Sequence, residues 1–175
     1  LIFNKTRRGY IQALQKMGAN IDISNKIIHQ NETICNLNIK YTPMLTNTNI
    51  SKKNIVSMID EIPIFSLICA FAHGTSNIEG VNELRYKESD RIYSIVYNFK
   101  KLNINIRESK DGFSITGPNK LHYTTINQFS DHRIAMIGEI INLIKNKPLS
   151  AESETKSLIN TSFPEFYAIL KEHYE

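Results

Sequence analysis

The sequence predicts an α+β fold in which a βαβαββ unit is repeated. The pattern strand–helix–strand–strand–strand–helix occurs over residues 1–73 and again over residues 75–146, and residues 147–175 begin a third, partial unit. The apolar positions of segment 14–21 also recur in segment 99–106. With 175 residues, of which 41% are hydrophobic, the whole chain is expected to form a single domain with one core.

Apolar spacing and turn residues place the elements of these units. In the first unit they predict a strand at 1–3, a helix at 6–17 with Thr6 as its cap and Gly18 after its end, and strands at 21–28 and 34–39 around a turn at 30–31. A polar loop at 43–53 follows, and then the apolar pair Ile55-Val56, which leads to a helix at 60–71. In the second they predict a strand at 75–79, a helix at 86–102, strands at 104–106 and 113–115 around the turn Asp111-Gly112, a strand at 123–126 and a helix at 131–145. In the partial unit they predict a helix at 163–173, with a capping-box pattern at Ser162 and Glu165.

Charge and composition argue against several classes of function. The formal net charge of +4 comes from scattered Lys and Arg residues, whereas a nucleic-acid-binding surface usually concentrates them. We therefore expect no nucleic acid partner, and instead a basic cleft for an acidic small molecule. The five His residues have no metal-ligand spacing. No metal partner is therefore expected. No apolar run approaches the ~20 residues that cross a bilayer, so no membrane partner is expected either.

The sequence contains two cysteines, Cys35 and Cys69. They do not form a CxxC pair, and Cys69 lies in the apolar run 65–71, so buried thiols in a reducing compartment are expected. Together with the lack of a signal-peptide pattern, this predicts a cytoplasmic protein. Since the chain begins with Leu1 rather than Met, we also expect it to be part of a longer polypeptide.

The segment Leu84–Ile92 concentrates charge where a loop is predicted to become a helix. Helix N-termini favour anions. On a first helical turn Lys87 and Arg91 would be four residues apart and Glu88 and Arg91 three apart, so all would face one side. Two cations around a carboxylate suit a phosphorylated or carboxylated ligand whose reaction moves a proton. The alternative is a solvated helix start with internal ion pairs.

The same segment resembles the LRxKESDRI motif of the 5-enolpyruvylshikimate-3-phosphate (EPSP) synthase family. Further segments match motifs of that family in order along the chain, and they are Met17–Ala19, Ser57–Pro63, Asp131–Met136 and Thr161–Pro164. The resemblance covers essentially the whole chain and implies an enolpyruvyl transferase-like domain, an inside-out α/β barrel with helices inside and sheets outside. It also implies that the chain is the C-terminal domain of such an enzyme, with the missing N-terminal domain as its partner.

The implied reaction transfers the enolpyruvyl group of phosphoenolpyruvate to the 5-hydroxyl of shikimate 3-phosphate and releases phosphate. It belongs to the shikimate pathway of aromatic amino-acid biosynthesis, proceeds by addition and elimination, and needs no cofactor. Since the chain carries only one half of the site, it is expected to be inactive alone. Two alternatives stay open, a related enolpyruvyl transferase that acts on UDP-N-acetylglucosamine and a non-catalytic fragment that binds anions or a partner domain.

Two carboxylates match catalytic residues of the family. Asp60 is the implied proton acceptor at the shikimate ring hydroxyl, although an Asp shortly before Pro63 is also a good helix cap without chemistry. Glu88 is the implied group that protonates the methylene of phosphoenolpyruvate and later takes a proton back. The alternative for Glu88 is a structural Glu at a helix start.

Three cations match substrate ligands. Lys87 is implied at the shikimate side, whereas Arg91 and Arg133 are implied at the carboxylate or phosphate of phosphoenolpyruvate, which a planar guanidinium binds well. His132 is either a donor that supports substrate binding beside Arg133 or a helix-start residue capped through Ser130.

Asp131 is expected to orient a nearby Arg. Two positions depart from the family pattern, because Thr161 stands where many relatives have a Lys that contacts phosphoenolpyruvate, and Glu83 stands where some have an Asn ligand. No Lys ligand is therefore carried over to position 161, and the local strength of anion binding stays open.

Overall fold

The computed structural model describes residues 3–149 and 153–172. The strands in these ranges are β1 (Asn20–His29), β2 (Glu32–Lys40), β3 (Asn49–Ile50), β4 (Gly74–Ile78), β5 (Asn105–Ser109) and β6 (Gly112–Gly117). The helices are α1 (Gly9–Lys16), α2 (Lys52–Ile55), α3 (Ile62–Phe71), α4 (Arg91–Lys101), α5 (His132–Ile144), α6 (Ser153–Asn160) and α7 (Phe166–Lys171). Short 3₁₀ turns cover Lys5–Arg7, Ile59–Glu61 and Asn82–Tyr86.

The strands form two separate sheets. β1 and β2 pair antiparallel, with Asn20 opposite Lys40 and a break in register between Ser24 and Ile27. The other four strands follow the order β3-β4-β6-β5, in which β3 runs parallel to β4 and the other neighbours are antiparallel.

The main core lies between the four-stranded sheet and the helices. Phe113 and Ile115 of β6 are buried, whereas Thr116 is exposed, as expected of a strand with one face against the core. Helix α3 packs on β6 and on α5, and seven of its 10 residues are buried. A smaller apolar cluster joins α5 to α6 and α7, and its buried residues are Ala135, Ile159, Phe166 and Leu170.

Helices α1 and α4 end in the same backbone motif, which gives segments 14–21 and 99–106 a shared structural role. Gly18 (φ 93°) follows α1, and Asn103 (φ 62°) follows α4. In both cases the two amides that follow the end of the helix donate to carbonyls of its last turn, as in a Schellman motif. The predicted role of Gly18 after the first helix is therefore confirmed.

Most predicted elements are present, although several begin elsewhere. The two predicted hairpins are confirmed as β1–β2 and β5–β6, and the strand predicted between them is β4. The helix predicted at 6–17 begins at Gly9, because the cap is Asn4 rather than Thr6 and it closes a separate 3₁₀ turn. The predicted loop at 43–53 was wrong, since it contains β3 and the start of α2.

Two predictions in the second unit were wrong. The segment 123–126 forms no strand, because a strand requires a hydrogen-bonded neighbour and no strand of the described ranges pairs with it. The helix predicted at 86–102 begins only at Arg91, since the side chain of Asp90 caps it there. The helix predicted at 131–145 is confirmed as α5.

The C-terminal prediction was wrong in part. Helix α6 was not predicted, and α7 begins at Phe166 without a side-chain cap, so Ser162 and Glu165 do not form a capping box. Instead, the residues after α6 continue its last turn through bonds such as that from the Phe163 amide to the Ile159 carbonyl. The predicted end of this helix at 173 lies outside the described residues.

The N-terminal strand lies partly outside the described residues, which begin at Phe3, whose amide donates to the Thr33 carbonyl at 2.6 Å. Cys35 and Cys69 are both buried, as predicted, and burial raises the pKa of the Cys69 thiol to about 11. None of the helices in the described ranges combines the length and the apolar character that crossing a bilayer requires.

Candidate active site

The N-terminal ends of α3, α4 and α5 meet at one group of charged residues. We call this group the helix-start cluster, and it consists of Asp60, Glu88, Arg91, Asp131, His132 and Arg133. The structure therefore brings together five of the six residues that the sequence assigns to the site, and it adds Asp131.

Arg91 is the centre of the helix-start cluster. It is the first residue of α4, after Asp90, whose carboxylate accepts the Tyr93 amide, and its side chain is only 1% exposed. Its Nε donates to Asp131 at 2.8 Å, and one terminal nitrogen donates to Glu88 at 2.5 Å. A buried guanidinium needs such partners, because an unpaired charge in the interior is costly.

Asp131 is fully buried and has two functions. As the cap of α5 it accepts the Arg133 amide at 2.9 Å, and it also accepts the Ser89 hydroxyl at 3.0 Å. Burial alone would raise the pKa of Asp131, but the hydrogen bond and charge of Arg91, with the bonds from Arg133 and Ser89, lower it below its ordinary value. The predicted pairing of Asp131 with an Arg is confirmed, and the alternative in which Ser130 caps α5 was wrong.

Asp60 lies among three arginines. It belongs to the 3₁₀ turn ahead of α3 and does not cap that helix, so its interpretation as a capping residue was wrong. Its Oδ1 is 3.9 Å from Arg91, and its Oδ2 is 3.6 Å from Arg133 and 3.9 Å from Arg7. Arg133 also donates to the Asp60 carbonyl at 2.9 Å. The carboxylate is about one quarter exposed, so a ligand can reach it.

Glu88 is the most accessible acid of the helix-start cluster. Its side chain is 47% exposed, and only one of its oxygens is engaged by Arg91. The other oxygen lies 3.7 Å from Nδ1 of His132, the first residue of α5. One oxygen of Glu88 is therefore held by Arg91 and the other lies beside an imidazole, a pairing of groups that general acid–base chemistry uses.

Lys87 does not share a helical turn with Arg91, so the predicted one-sided spacing was wrong. The chain between the 3₁₀ turn and α4 is irregular, and Lys87 has extended backbone dihedrals. Its Nζ donates to Glu83 at 2.5 Å. Glu83, which departs from the family pattern, therefore lies against the cation that was expected to bind substrate.

Two contacts of the site were missed by sequence reasoning. Ser89 lies inside the charged segment, and its hydroxyl bond to Asp131 was not anticipated. Arg7 reaches Asp60 from a distant part of the chain. No local pattern signals Arg7, because its neighbourhood depends on how α1 packs against the segment before α3.

Space beside the helix-start cluster is open to a ligand. A cavity of about 170 Å³ is lined by Asp60 and Arg133 and otherwise by apolar side chains of α3, α5 and α7. A second cavity of about 180 Å³ is lined by Arg7 and the residues around Asp60. Guanidinium groups at an open cavity can bind a carboxylate or phosphate, and the neighbouring carboxylates can move a proton.

Comparison with known proteins agrees with this geometry. The chain matches the family EPSP synthase (3-phosphoshikimate 1-carboxyvinyltransferase) over residues 2–170.

The chain belongs to the EPSP synthase family.

Curated relatives carry the same description. The chain is 37% identical over 175 residues to the 3-phosphoshikimate 1-carboxyvinyltransferase of Persephonella marina and 41% identical over 173 residues to that of Endomicrobium trichonymphae. These alignments cover 100% and 95% of this chain but 39% of each relative. The chain thus spans about two fifths of the length of these EPSP synthases.

Solved structures of the family share the fold. An EPSP synthase from Acinetobacter baumannii superimposes with a TM-score of 0.87 at 30% identity, over 98% of this chain and 40% of the other. The predicted enolpyruvyl transferase-like fold is therefore confirmed.

Proposed function

We propose that this chain forms one wall of an EPSP synthase active site, which transfers the enolpyruvyl group of phosphoenolpyruvate to the 5-hydroxyl of shikimate 3-phosphate and releases phosphate. The observation that carries the proposal is the helix-start cluster, where the accessible carboxylates Asp60 and Glu88 flank the buried Arg91. Family membership supports this pair of substrates. Since the relatives are much longer, the chain acts as their C-terminal domain, and an N-terminal domain supplies the other wall.

The two carboxylates divide the proton transfers between them. Asp60 accepts the proton of the 5-hydroxyl as its oxygen bonds to C2 of phosphoenolpyruvate, while Glu88 donates a proton to the methylene carbon. The resulting tetrahedral intermediate loses phosphate as Glu88 takes a proton back from the methyl group, which restores the double bond. The exposure of the Glu88 side chain and the nearby His132 support this role.

The cations hold the acidic groups of the substrates. Arg133 is about one third exposed and binds the carboxylate or phosphate of phosphoenolpyruvate. Arg91 is only 1% exposed, with two nitrogens engaged by Asp131 and Glu88 and its remaining terminal nitrogen 3.9 Å from Asp60. It therefore acts on phosphoenolpyruvate by holding the carboxylates of Asp60 and Glu88. Lys87 binds at the shikimate side after leaving Glu83, and separating a solvent-accessible pair of this kind costs only about 0–1 kcal/mol.

A hybrid enzyme tests the proposal. In it, this chain replaces the matching 39% of the Persephonella marina relative, and phosphate release is measured with phosphoenolpyruvate plus either shikimate 3-phosphate or UDP-N-acetylglucosamine. We expect release only with shikimate 3-phosphate. Glu88→Gln should lower turnover by roughly 10²–10⁴, the range of general acid–base catalysis. Glu172→Gln, which removes an exposed carboxylate after α7, is the matched control.

Two outcomes of this assay would contradict the proposal, namely release with the sugar nucleotide alone and unchanged turnover for Glu88→Gln. The 175-residue chain by itself should unfold cooperatively and release no phosphate, because a single wall leaves both substrates solvated and unaligned. Activity that co-purifies with the chain and disappears in its Asp60→Ala variant would show that one wall suffices. The buried thiols support a cytoplasmic location for the reaction.

A further inference from the structure

Arg7 lies beside the helix-start cluster, and it is not among the residues that the sequence assigns to the site. One terminal nitrogen of Arg7 is 3.9 Å from Oδ2 of Asp60, the same oxygen that Arg133 approaches to 3.6 Å. We propose that Arg7 is a positioning residue, which holds the Asp60 carboxylate in place while Asp60 accepts the substrate proton. The inference rests on the proposed function and adds a residue to it.

The backbone before α1 directs Arg7 to this position. Arg7 ends the 3₁₀ turn that begins after Asn4, and its own amide donates to the Asn4 carbonyl at 3.1 Å. The side-chain oxygen of Asn4 accepts both the amide and the hydroxyl of Thr6, at 2.9 and 2.7 Å. A turn closed by three bonds to one residue limits the directions that the Arg7 side chain can take.

Close packing of α1 brings this turn to the segment that carries Asp60. The amide of Gly9 donates to the Ser57 carbonyl at 3.0 Å. A Cβ at Gly9 would overlap the Ser57 hydroxyl and lie 3.0 Å from its carbonyl oxygen. A side chain at residue 9 would therefore displace the Ser57 hydroxyl or widen this approach of the two segments, and the approach is what places Arg7 within reach of Asp60.

The three arginines around Asp60 are not equivalent. Arg91 is held by Asp131 and Glu88 inside the protein, and Arg133 is held by the Asp60 carbonyl. The Arg91 side chain is 1% exposed and that of Arg133 is 31% exposed. Arg7 is 71% exposed and lines the cavity of about 180 Å³ beside Asp60, so it is the most accessible of the three cations around this carboxylate.

The effect of Arg7 depends on whether the site is covered. In the open chain water screens a contact of 3.9 Å, so it contributes little to stability. When the second wall and the substrates exclude water, the same charges interact more strongly. Loss of Arg7 should therefore lower turnover without lowering the stability of the chain.

A double-mutant cycle in the hybrid enzyme tests this expectation. We expect Arg7→Gln to lower kcat roughly 10-fold, which corresponds to about 1.4 kcal/mol of transition-state free energy, and Arg7→Lys to recover part of the loss. In an Asp60→Asn background, single-turnover rates should change less than 2-fold on adding Arg7→Gln, because the group that Arg7 positions is gone. Arg8→Gln removes the same charge next to it, from a residue that stacks on Phe3 instead, and should leave kcat unchanged.

A second measurement on the chain itself examines the contact without any turnover. Asp60→Asn should shift the NMR resonance of the Arg7 Nε–H and leave that of Arg8 in place. An unshifted Arg7 resonance would overturn the inference, as would equal losses from Arg7→Gln with and without Asp60→Asn, or an equal loss from Arg8→Gln. An inactive hybrid whose Arg7 resonance still responds would overturn the proposed reaction and the catalytic role with it, but would support the contact.

Discussion

Asp131→Asn is the most informative single change for the stability of this fold. Asparagine keeps an oxygen that can accept the Arg133 amide, so the cap of α5 survives, but the charge opposite Arg91 is lost. Removing one partner of a buried pair typically costs about 3–5 kcal/mol. Since Glu88 still pairs with Arg91 at 2.5 Å, we expect a loss of roughly 2–4 kcal/mol of unfolding free energy. For a chain of this size that lowers the melting temperature by roughly 4–16 °C.

The pH dependence of this loss identifies its origin. In the folded chain Arg91 lowers the pKa of Asp131, although burial alone would raise it. The stability that the Asp131 carboxylate contributes is therefore present above its unfolded pKa of about 4, and it is lost as pH falls through the lower folded pKa. The difference in unfolding free energy between wild type and Asp131→Asn should therefore be largest at neutral pH and should decrease in acid. Circular dichroism melts at several pH values measure it.

Asp22 provides the control for Asp131→Asn. It is an exposed carboxylate on β1, so Asp22→Asn should change the unfolding free energy by less than about 0.5 kcal/mol. Two outcomes would refute the assignment of a buried ion pair. One is an equal loss of unfolding free energy in Asp22→Asn and Asp131→Asn, and the other is a loss in Asp131→Asn that becomes larger in acid.

Two further predictions concern Arg133 and Cys69. In the hybrid enzyme Arg133→Lys should raise the KM for phosphoenolpyruvate at nearly unchanged melting temperature, because lysine keeps the charge and loses the planar fork. An unchanged KM would remove Arg133 from the site. Arg91→Lys should instead lower the melting temperature, since Arg91 is buried against Asp131. Burial raises the pKa of Cys69 from an ordinary value of 9.0 to about 11. The stability that the neutral thiol contributes is therefore complete below pH 9.0, the unfolded value, and is lost as pH rises to about 11, the folded value. Cys69→Ala should flatten the stability profile over that interval, and rapid iodoacetamide labelling of Cys69 in the folded chain would contradict the burial.

Sequence reasoning succeeds here where the signal is local. Gly18 after α1 has a φ of 93°, a backbone conformation that few residues other than glycine adopt readily. The hairpin predicted around Asp111-Gly112 is also present, although Gly112 already belongs to β6 opposite Ser109, so the turn itself consists of Lys110 and Asp111. Asp131 at the start of α5 combines a capping residue with an apolar helical pattern. The end of α1 at Gly18 and the helix that starts at Asp131 were predicted from a few neighbouring residues and are present, although the cap of α5 is Asp131 rather than Ser130.

The features that sequence reasoning misses depend on distant partners. The segment 123–126 has the composition of a strand, yet no described strand pairs with it, and pairing is what makes a strand. Lys87 was expected on the helix of Arg91, but the cap at Asp90 starts that helix later. The contact between Arg7 and Asp60 arises only when α1 has packed.

The same residues that stabilise the fold also shape the chemistry of the site. Asp131 caps α5, neutralises Arg91 and thereby fixes the guanidinium that faces both Asp60 and Glu88. Loss of the Asp131 charge should therefore affect Asp60 and Glu88 together through Arg91, whereas a change at exposed Arg7 affects only Asp60. A variant that loses both activity and stability has a damaged fold around the site. A variant that loses activity at unchanged stability has lost a group that acts on the substrate or on Asp60. Measuring activity and stability for each variant separates the buried ion pair from the residues proposed to carry out the proton transfers.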